Sequence, residues 1–530
     1  MSLDDLRRQL RDRGYLQNGI ERWFALDPWS SRTFWLELTI VAAKAAILIA
    51  AFGMLPLVAI MLVRNHPLSA LETLLMAVAY FGTSVVAAFF FIVAIALILK
   101  LRPALALDTP RALLGISFMA SAILTAAIAI WWWQFGSAPS LAELVIGLAL
   151  IVTFFLIATV AISAALLSFS IYELKRVPAI HQRPRGVPMS FAAAILIALL
   201  FLPAYASQER RAPEAPIQVV TSPTDRRIAF IAVDGLTYEL ATTRGITGSP
   251  VAAMVERSTT ERWASVGTGV PSRLHGVHAV EGVRFRGGRH LLQSLSSSDY
   301  VLHAIAPAIG IARREPLPPT VRRRDFVWEI FAARGVPSAS VNWWTTADDR
   351  SGALQEIGQE PIFAAAANDP LQLDDGAVKR LLGIIDRTRP RFATVYMPAL
   401  DVILNRMPLD RTTQLAESVR ALDGVVQTIL SLRRRGYDVL LLGLPGDRQG
   451  GRGVLVSTMP LARTPASAYD VAPTLCAAMG FPSSAEMPGV PLVTTDLARI
   501  ASYGPRASSR ENVTLNDEYY QNLKSLGYIK

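Results

Sequence analysis

Arg227-Ile228-Ala229-Phe230-Ile231-Ala232-Val233-Asp234-Gly235 decides the fold of the second half of this chain. The run is apolar almost without a break, is rich in β-branched residues, and ends on an acid followed by glycine. A strand with one solvated face would alternate polar and apolar residues. A continuous apolar run instead marks a strand buried on both faces, as in a parallel sheet covered by helices. Similar short runs recur at 338–342, 392–397, 439–442 and 453–456, with helix-like stretches at 321–335, 412–434 and 468–480. Alternating strands and helices predict an α/β domain with a mostly parallel sheet. In such sheets ligands sit beyond the carboxyl ends of the strands, where Asp234 and Asp401 fall.

The first half reads differently. The chain of 530 residues is 52% hydrophobic and only 18% charged, with a mean hydropathy of +0.35. A purely soluble or disordered chain is excluded by that balance. The hydrophobicity crowds into about five runs, each near the ~20 residues a helix needs to cross a bilayer: 38–63, 73–99, 113–133, 144–170 and 190–206. None has the short apolar region and small-residue cleavage site of a signal peptide. The expected organisation is a membrane domain over 1–206, a linker rich in Pro, Glu, Arg, Ser and Thr over 207–226, the α/β domain over 227–500, and a tail over 501–530.

Cations set the expected orientation. Arg7, Arg8, Arg11, Arg13 and Arg22 precede the first run; Lys100, Arg102 and Arg111 lie between the second and third; Lys175, Arg176, Arg183 and Arg185 lie between the fourth and fifth. The alternate loops are poor in cations. The N-terminus is therefore expected in the cytoplasm of a bacterial-type inner membrane. With five spans, the α/β domain is expected in the periplasm. Much of the net charge of +10 is accounted for in this way, so it carries no case for nucleic acid. Lys44 reads as a lysine that snorkels to the headgroups, Glu72 and Glu143 as interfacial, and Trp131, Trp132 and Trp133 as an aromatic belt. Residues 6–10 and 15–23 read as a short helix on the inner leaflet. The spans lack paired internal charges, which argues against a transporter. Small residues at 42–51 and 120–129 permit close helix packing. The single cysteine, Cys476, excludes an intrachain disulfide and a cysteine-cluster metal site.

Several motifs of the second half run in the order seen in one known family. Ile228 to Thr237 resembles the opening strand of the alkaline-phosphatase superfamily, type I phosphodiesterase/nucleotide pyrophosphatase branch. Thr259-Thr260-Glu261-Arg262-Trp263-Ala264-Ser265-Val266-Gly267-Thr268-Gly269-Val270-Pro271, followed by His275-Gly276-Val277, resembles its nucleophile segment. Asn342-Trp343-Trp344-Thr345-Thr346 resembles a strand end of that branch, and Tyr469-Asp470-Val471-Ala472-Pro473-Thr474-Leu475 its late helix. Pro488-Gly489-Val490-Pro491-Leu492 and the terminal Leu523-Lys524-Ser525-Leu526-Gly527-Tyr528 complete the series.

The resemblance implies a site as well as a fold. Active members use two metal ions, usually zinc, to activate a Thr or Ser hydroxyl and to stabilise phosphoryl charge. By motif, Asp234 takes the first acidic ligand position, Asp401 a second, and Thr259 the nucleophile position. For Thr259 an ordinary helix N-cap or turn hydroxyl is the competing reading. The remaining ligands are missing. Asn405 stands where a histidine is expected, Leu444 and Pro445 where an Asp-His pair is expected, and Gln449 near a further expected histidine. Leucine and proline side chains cannot ligate a metal. The implied protein is a catalytically inactive member of the fold, with no cofactor, acting as a binding or structural subunit at the cell envelope with membrane or envelope protein partners. The alternative is a zinc- or manganese-dependent phosphodiesterase or phospho-group transferase acting on envelope lipids or glycans. For that alternative, Asp447, His275, His278, Asp348 and Asp349 are the residues that could rebuild a site, although His275 reads as a positioning residue and Asp348-Asp349 as a solvated turn. The basic stretches Arg313-Arg314 and Arg322-Arg323-Arg324 read as solvated surface or as an anion site, and Arg433-Arg434-Arg435-Gly436 as the end of a helix.

Overall fold

The computed structural model describes residues 12, 34–64, 68–101, 110–135, 141–172, 219–222, 224–254, 256, 258–279, 281–288, 290–293, 299–317, 321–343, 354–356, 370–446 and 449–506. The expected inner-leaflet helix, the fifth apolar run at 190–206, most of the linker, Trp344 to Thr346, Asp348, Asp349, Asp447 and the terminal motif lie outside these residues. The chain divides into two compact units. One holds Met1–Arg211 together with Arg284–Arg313; the other holds Ala212–Val283 and Arg314–Lys530.

Among the described residues of the first unit, four helices are each long and apolar enough to cross a bilayer: α1 (Phe34–Arg64), α2 (Ala70–Leu101), α3 (Pro110–Phe135) and α4 (Leu141–Tyr172). They coincide with four of the expected runs. Helix α1 packs against α2, α3 and α4, and α3 against α4. The seam is built from small residues. Ala42, Ala45 and Ala46 of α1 and Ala158, Ala161 and Ala165 of α4 are all buried, with Phe52 and Phe154 filling the wider space. Short side chains let the helix backbones approach, which is how apolar helices gain packing energy where no water is expelled. The outer faces of α2, α3 and α4 carry Val86, Phe90, Phe118, Met119, Leu148 and Leu156 to the surface, as a lipid-facing surface requires.

The second unit is built on a seven-stranded sheet of order β2-β10-β9-β1-β8-β6-β7. The strands are β1 (Ile228–Asp234), β2 (Ser249–Val251), β6 (Ser338–Val341), β7 (Leu354–Glu356), β8 (Phe392–Met397), β9 (Asp438–Leu444) and β10 (Gly453–Ser457). Strands β9, β1, β8, β6 and β7 run parallel, while β10 pairs antiparallel with β9 and β2 with β10. A separate sheet of three short strands, order β4-β3-β5, is formed by β3 (Glu281–Phe285), β4 (Leu292–Gln293) and β5 (Ala312–Pro316) and falls partly within residues 284–313, which belong to the first unit.

The two-residue period of β1 explains its unbroken apolar run. Ile228, Phe230 and Ala232 join one core with Trp263, Trp328, Tyr396 and Leu475. Ala229, Ile231 and Val233 join a second core with Ala377, Leu381, Val395 and Val425. Successive side chains point to opposite faces, so a central strand covered on both sides must be apolar at every position. Helices α5 (Thr259–Thr268) and α8 (Val471–Ala478) cover the first face; α6 (Pro370–Thr388) and α7 (Arg411–Arg434) cover the second. Helix α7 is delimited as its sequence indicates. Asp410 caps its start by accepting the Thr412 and Thr413 N–H groups, and Arg435 closes it before Gly436 in the left-handed conformation. Cys476 lies buried in the first core, where desolvation pushes its thiol up to about 12.

Candidate functional site at the carboxyl edge of the sheet

The parallel register brings the candidate residues to one edge. Asp234 ends β1 directly opposite Leu444 of β9, and the Gly235 N–H donates to the Leu444 carbonyl at 2.8 Å. On the other side β1 pairs in register with β8, which ends at Met397 and turns through Pro398 to Asp401. Gly235 has φ +83°, and a Cβ built on it would lie 2.6 Å from the Asp401 nitrogen and 2.7 Å from its Cα. The glycine that follows the first aspartate is thus what lets the second aspartate's backbone close on the strand end.

Both aspartates are fully buried. Asp234 Oδ2 accepts the Tyr396 hydroxyl at 2.9 Å. The Tyr396 carbonyl in turn accepts Asn342 Nδ2 at 2.8 Å, and Asn342, just past β6, lies in the left-handed region at φ +64°. Asp401 is held from its own turn. Its Oδ1 accepts Asn405 Nδ2 at 2.7 Å, and its Oδ2 accepts Arg406 Nε at 2.7 Å. A Cβ on Gly446 would fall 1.9 Å from Asp401 Oδ1 and 2.6 Å from Asn405 Nδ2. The stretch Leu444-Pro445-Gly446 therefore closes directly over the Asp401 carboxylate. Gln449 faces its own loop: its Oε1 accepts the Gly446 N–H at 2.8 Å.

Thr259 is the first residue of α5, and the cap is its neighbour. Ser258 has extended backbone and accepts the Glu261 N–H, while Thr259 is already helical. The N-cap role expected as the alternative for Thr259 thus belongs to Ser258. The Thr259 hydroxyl is buried and accepts Arg262 Nη2 at 3.1 Å. One turn further along α5, the Trp263 ring meets Tyr396 edge-on at 5.6 Å and Trp343 at 6.1 Å. Trp343 Nε1 donates to Thr394 at 3.0 Å. The path from α5 to Asp234 runs through this aromatic cluster, in which each edge-on pair adds about 0.5–1.5 kcal/mol beyond area burial.

His275 and His278 sit in polar networks inside the domain. His275 Nδ1 accepts the Val277 N–H at 3.0 Å, which places the ring proton on Nε2, 2.9 Å from Ser265 Oγ. Ser265 donates to Glu256 Oε1, which also accepts the Tyr469 hydroxyl. Burial first, then His278, Arg322 and Arg323, hold the His275 pKa well below the usual histidine range. Burial raises that of Glu256. His278 Nδ1 lies 2.8 Å from Glu261 Oε1. Nothing in the sequence signals that Glu256, Ser265 and Tyr469 meet, because only the fold brings them together.

The late motifs also have a structural explanation. Asp470 accepts the Ala466 and Ser467 N–H groups through Oδ2 and the Val490 N–H through Oδ1. Thr474 Oγ1 accepts the Leu492 N–H. The start of α8 and the 488–492 segment are thus clamped together. The stretch at 322–324 departs from the solvated reading. Arg322 is buried, pairs with Glu329 and stacks on Phe326 at 3.9 Å, and Arg324 pairs with Glu486. Among the described residues, no group of three or more His, Cys, Asp or Glu side chains is placed to hold a metal ion.

No family model and no curated protein matches the chain. Solved structures do. Murine ectonucleotide pyrophosphatase/phosphodiesterase 5, an inactive variant in complex with AMP, matches at 11% identity and a TM-score of 0.28, over 41% of this chain and 56% of that one. Phosphonoacetate hydrolase from Sinorhizobium meliloti, in complex with phosphonoacetate, matches at 12% identity and 0.29, over 44% and 60%. The integral membrane lipooligosaccharide phosphoethanolamine transferase A from Neisseria meningitidis matches at 12% and 0.31, over 83% and 95%. The chain spans less than two thirds of the first two. Likenesses this distant do not place the chain in a family.

Proposed function

We propose that this is a membrane-anchored protein of alkaline-phosphatase-superfamily type whose α/β unit is catalytically inactive and serves as a binding or structural subunit at the cell envelope. One observation carries the reading: the Asp401 carboxylate is enclosed by Asn405 and Arg406 under Gly446. A metal ion approaching Asp401 would have to displace a guanidinium already bonded to it, in a site where neither Leu444 nor Pro445 offers a donor. A catalytic zinc pair needs several Asp and His ligands, and the residues at this edge do not fit one. Arg406 meets the need that a metal would otherwise meet, a positive charge beside a buried carboxylate.

In this reading the spans hold the protein in the inner membrane with its N-terminus in the cytoplasm, and the α/β unit meets envelope or membrane protein partners in the periplasm. The competing reading gives Thr259 the nucleophile's role in phospho-group transfer, and the same experiment separates the two. Purified full-length protein, assayed on bis(p-nitrophenyl) phosphate and p-nitrophenyl phosphate with added zinc or manganese, is expected to turn over no faster than its Asp234→Ala and Thr259→Ala variants. Metal-dependent turnover that both variants abolish would overturn the proposal.

A further inference from the structure

Residues 284–313 are covalently part of the second half of the chain but belong to the compact unit of the membrane helices. Two buried carboxylates fix them there. Glu72, in the first turn of α2, accepts the His290 N–H at 2.6 Å and faces His290 Nδ1 at 2.9 Å. Asp299, also buried, accepts the Tyr80 hydroxyl at 2.7 Å through Oδ2 and the Leu302 N–H at 3.2 Å through Oδ1. Glu72 and Tyr80 are about 12 Å apart along the axis of α2, so the segment is anchored to the helix at two levels, in its first and third turns. Helix α2 has 32 residues and is about 48 Å long, against a hydrocarbon core of about 30 Å. About 18 Å of the helix in total thus lies beyond the hydrocarbon at its two ends; its first turn, with Glu72 and His290, is placed to sit in the headgroup zone, and Tyr80 with Asp299 about 12 Å nearer the bilayer centre.

The helical stretch of this segment, Val301–Ile305 continued by Ala306–Ala308, is apolar on both sides. Val301, Leu302 and Ala306 are buried. The opposite face consists of Tyr300, Ala304, Ile305, Ala308 and Ile309, all exposed, with Tyr300 at 70%, Ile305 at 37% and Ile309 at 62%. Between residues 300 and 310 the only ionisable side chain besides Tyr300 is His303, and exposed Arg286 and Arg313 flank the stretch. A helix presenting one face to water carries charged residues on it; a helix apolar all round has a non-aqueous neighbour on each side. Tyrosine and isoleucine flanked by arginine is the composition of an element lying at the boundary between headgroups and acyl chains.

We infer that the 300–309 stretch is an interfacial membrane element, laid by Tyr80 and Glu72 onto the leaflet from which the N-terminal end of α2 emerges, with Tyr300, Ile305 and Ile309 in contact with phospholipid. The inference is independent of whether the α/β unit has an activity. It is tested on the full-length protein in phospholipid nanodiscs. Tyr300→Cys, Ile305→Cys and Ile309→Cys, each labelled with bimane, are compared with Arg420→Cys on the exposed surface of α7; native Cys476 is buried and stays unlabelled. A lipid nitroxide at a shallow acyl position is expected to quench the first three labels and leave the fourth unchanged. Aqueous iodide is expected to quench the first three at least about threefold less than the fourth, as burial some 5–10 Å into the interface requires. Iodide quenching equal to that at position 420 would overturn the inference. So would protection from iodide without nitroxide quenching, which would show that protein covers this face instead of lipid.

Discussion

Gly235→Ala is expected to destabilise the α/β unit by about 3 kcal/mol, the sum of about 1–2 kcal/mol for a left-handed non-glycine residue and about 1–3 kcal/mol for overpacking. The position combines φ +83° with backbone neighbours 2.6 and 2.7 Å from the added methyl carbon. Those neighbours are main-chain atoms of Asp401, so no side chain can swing away to make room. The strand end and the turn that carries Asp401 would have to part, which pulls Asp234 and Asp401 out of their present arrangement. Gly436→Ala supplies the internal control. That glycine has φ +81° but nothing within 4 Å of the added carbon, so it tests conformational strain alone and should cost about 1 kcal/mol. At roughly 2–4 °C per kcal/mol for a unit of this size, tryptophan-fluorescence melting should separate the two variants by several degrees. Equal shifts would show that the close approach of Gly235 to Asp401 does not constrain the fold.

Arg406→Ala is expected to cost about 3 kcal/mol, at the lower end of the range for breaking a buried ion pair from one side. Asp401 is wholly buried and Arg406 nearly so, so truncating the arginine leaves a carboxylate with one neutral donor, Asn405, and no compensating charge. Asp401→Asn should cost less, because it removes the charge that is expensive to bury and leaves an arginine with some access to water. The double variant Asp401→Asn/Arg406→Ala should be more stable than the sum of the single effects, and the difference in a double-mutant cycle gives the coupling of the pair. Chemical denaturation of the full-length protein in detergent, followed at the tryptophans of the α/β unit, measures all three. An Arg406→Ala effect within about 0.5 kcal/mol of zero would place the pair among solvated surface ion pairs and remove its claim to stand in for a metal.

How much of this was legible in the sequence depends on whether the signal is local. Strand β1 was read to its last residue, because a strand buried on both faces has no polar interruption. Helix α7 is nearly so, because Arg433-Arg434-Arg435-Gly436 marks its end. The placing of Asp234 and Asp401 at strand ends follows from the rule that ligands gather at the carboxyl ends of parallel strands; the closure of the 444–446 turn over Asp401 does not. The engagement of Asp401 by Arg406 did not follow. The two residues are five apart, a spacing that misses on an ordinary helix, and they meet because Val402–Arg406 forms a π-helical turn, with the Met407 N–H donating to the Val402 carbonyl. The burial of Arg322 was hidden for a related reason. Three consecutive arginines read as surface until Glu329 and Phe326 fold over the first of them. The attachment of residues 284–313 to the membrane helices was invisible too, since Glu72 and His290 are 218 positions apart and nothing periodic links them.

In the proposed reading Asn405, Arg406 and the 444–446 turn stand at the edge of the sheet where metal ligands would. The most direct test of that reading is the metal content of the detergent-purified full-length protein, measured by elemental mass spectrometry beside the Asp234→Ala/Asp401→Ala variant. Zinc and manganese far below one equivalent, and indistinguishable between the two proteins, are the result predicted here. Near-stoichiometric zinc or manganese that disappears in the variant would contradict it.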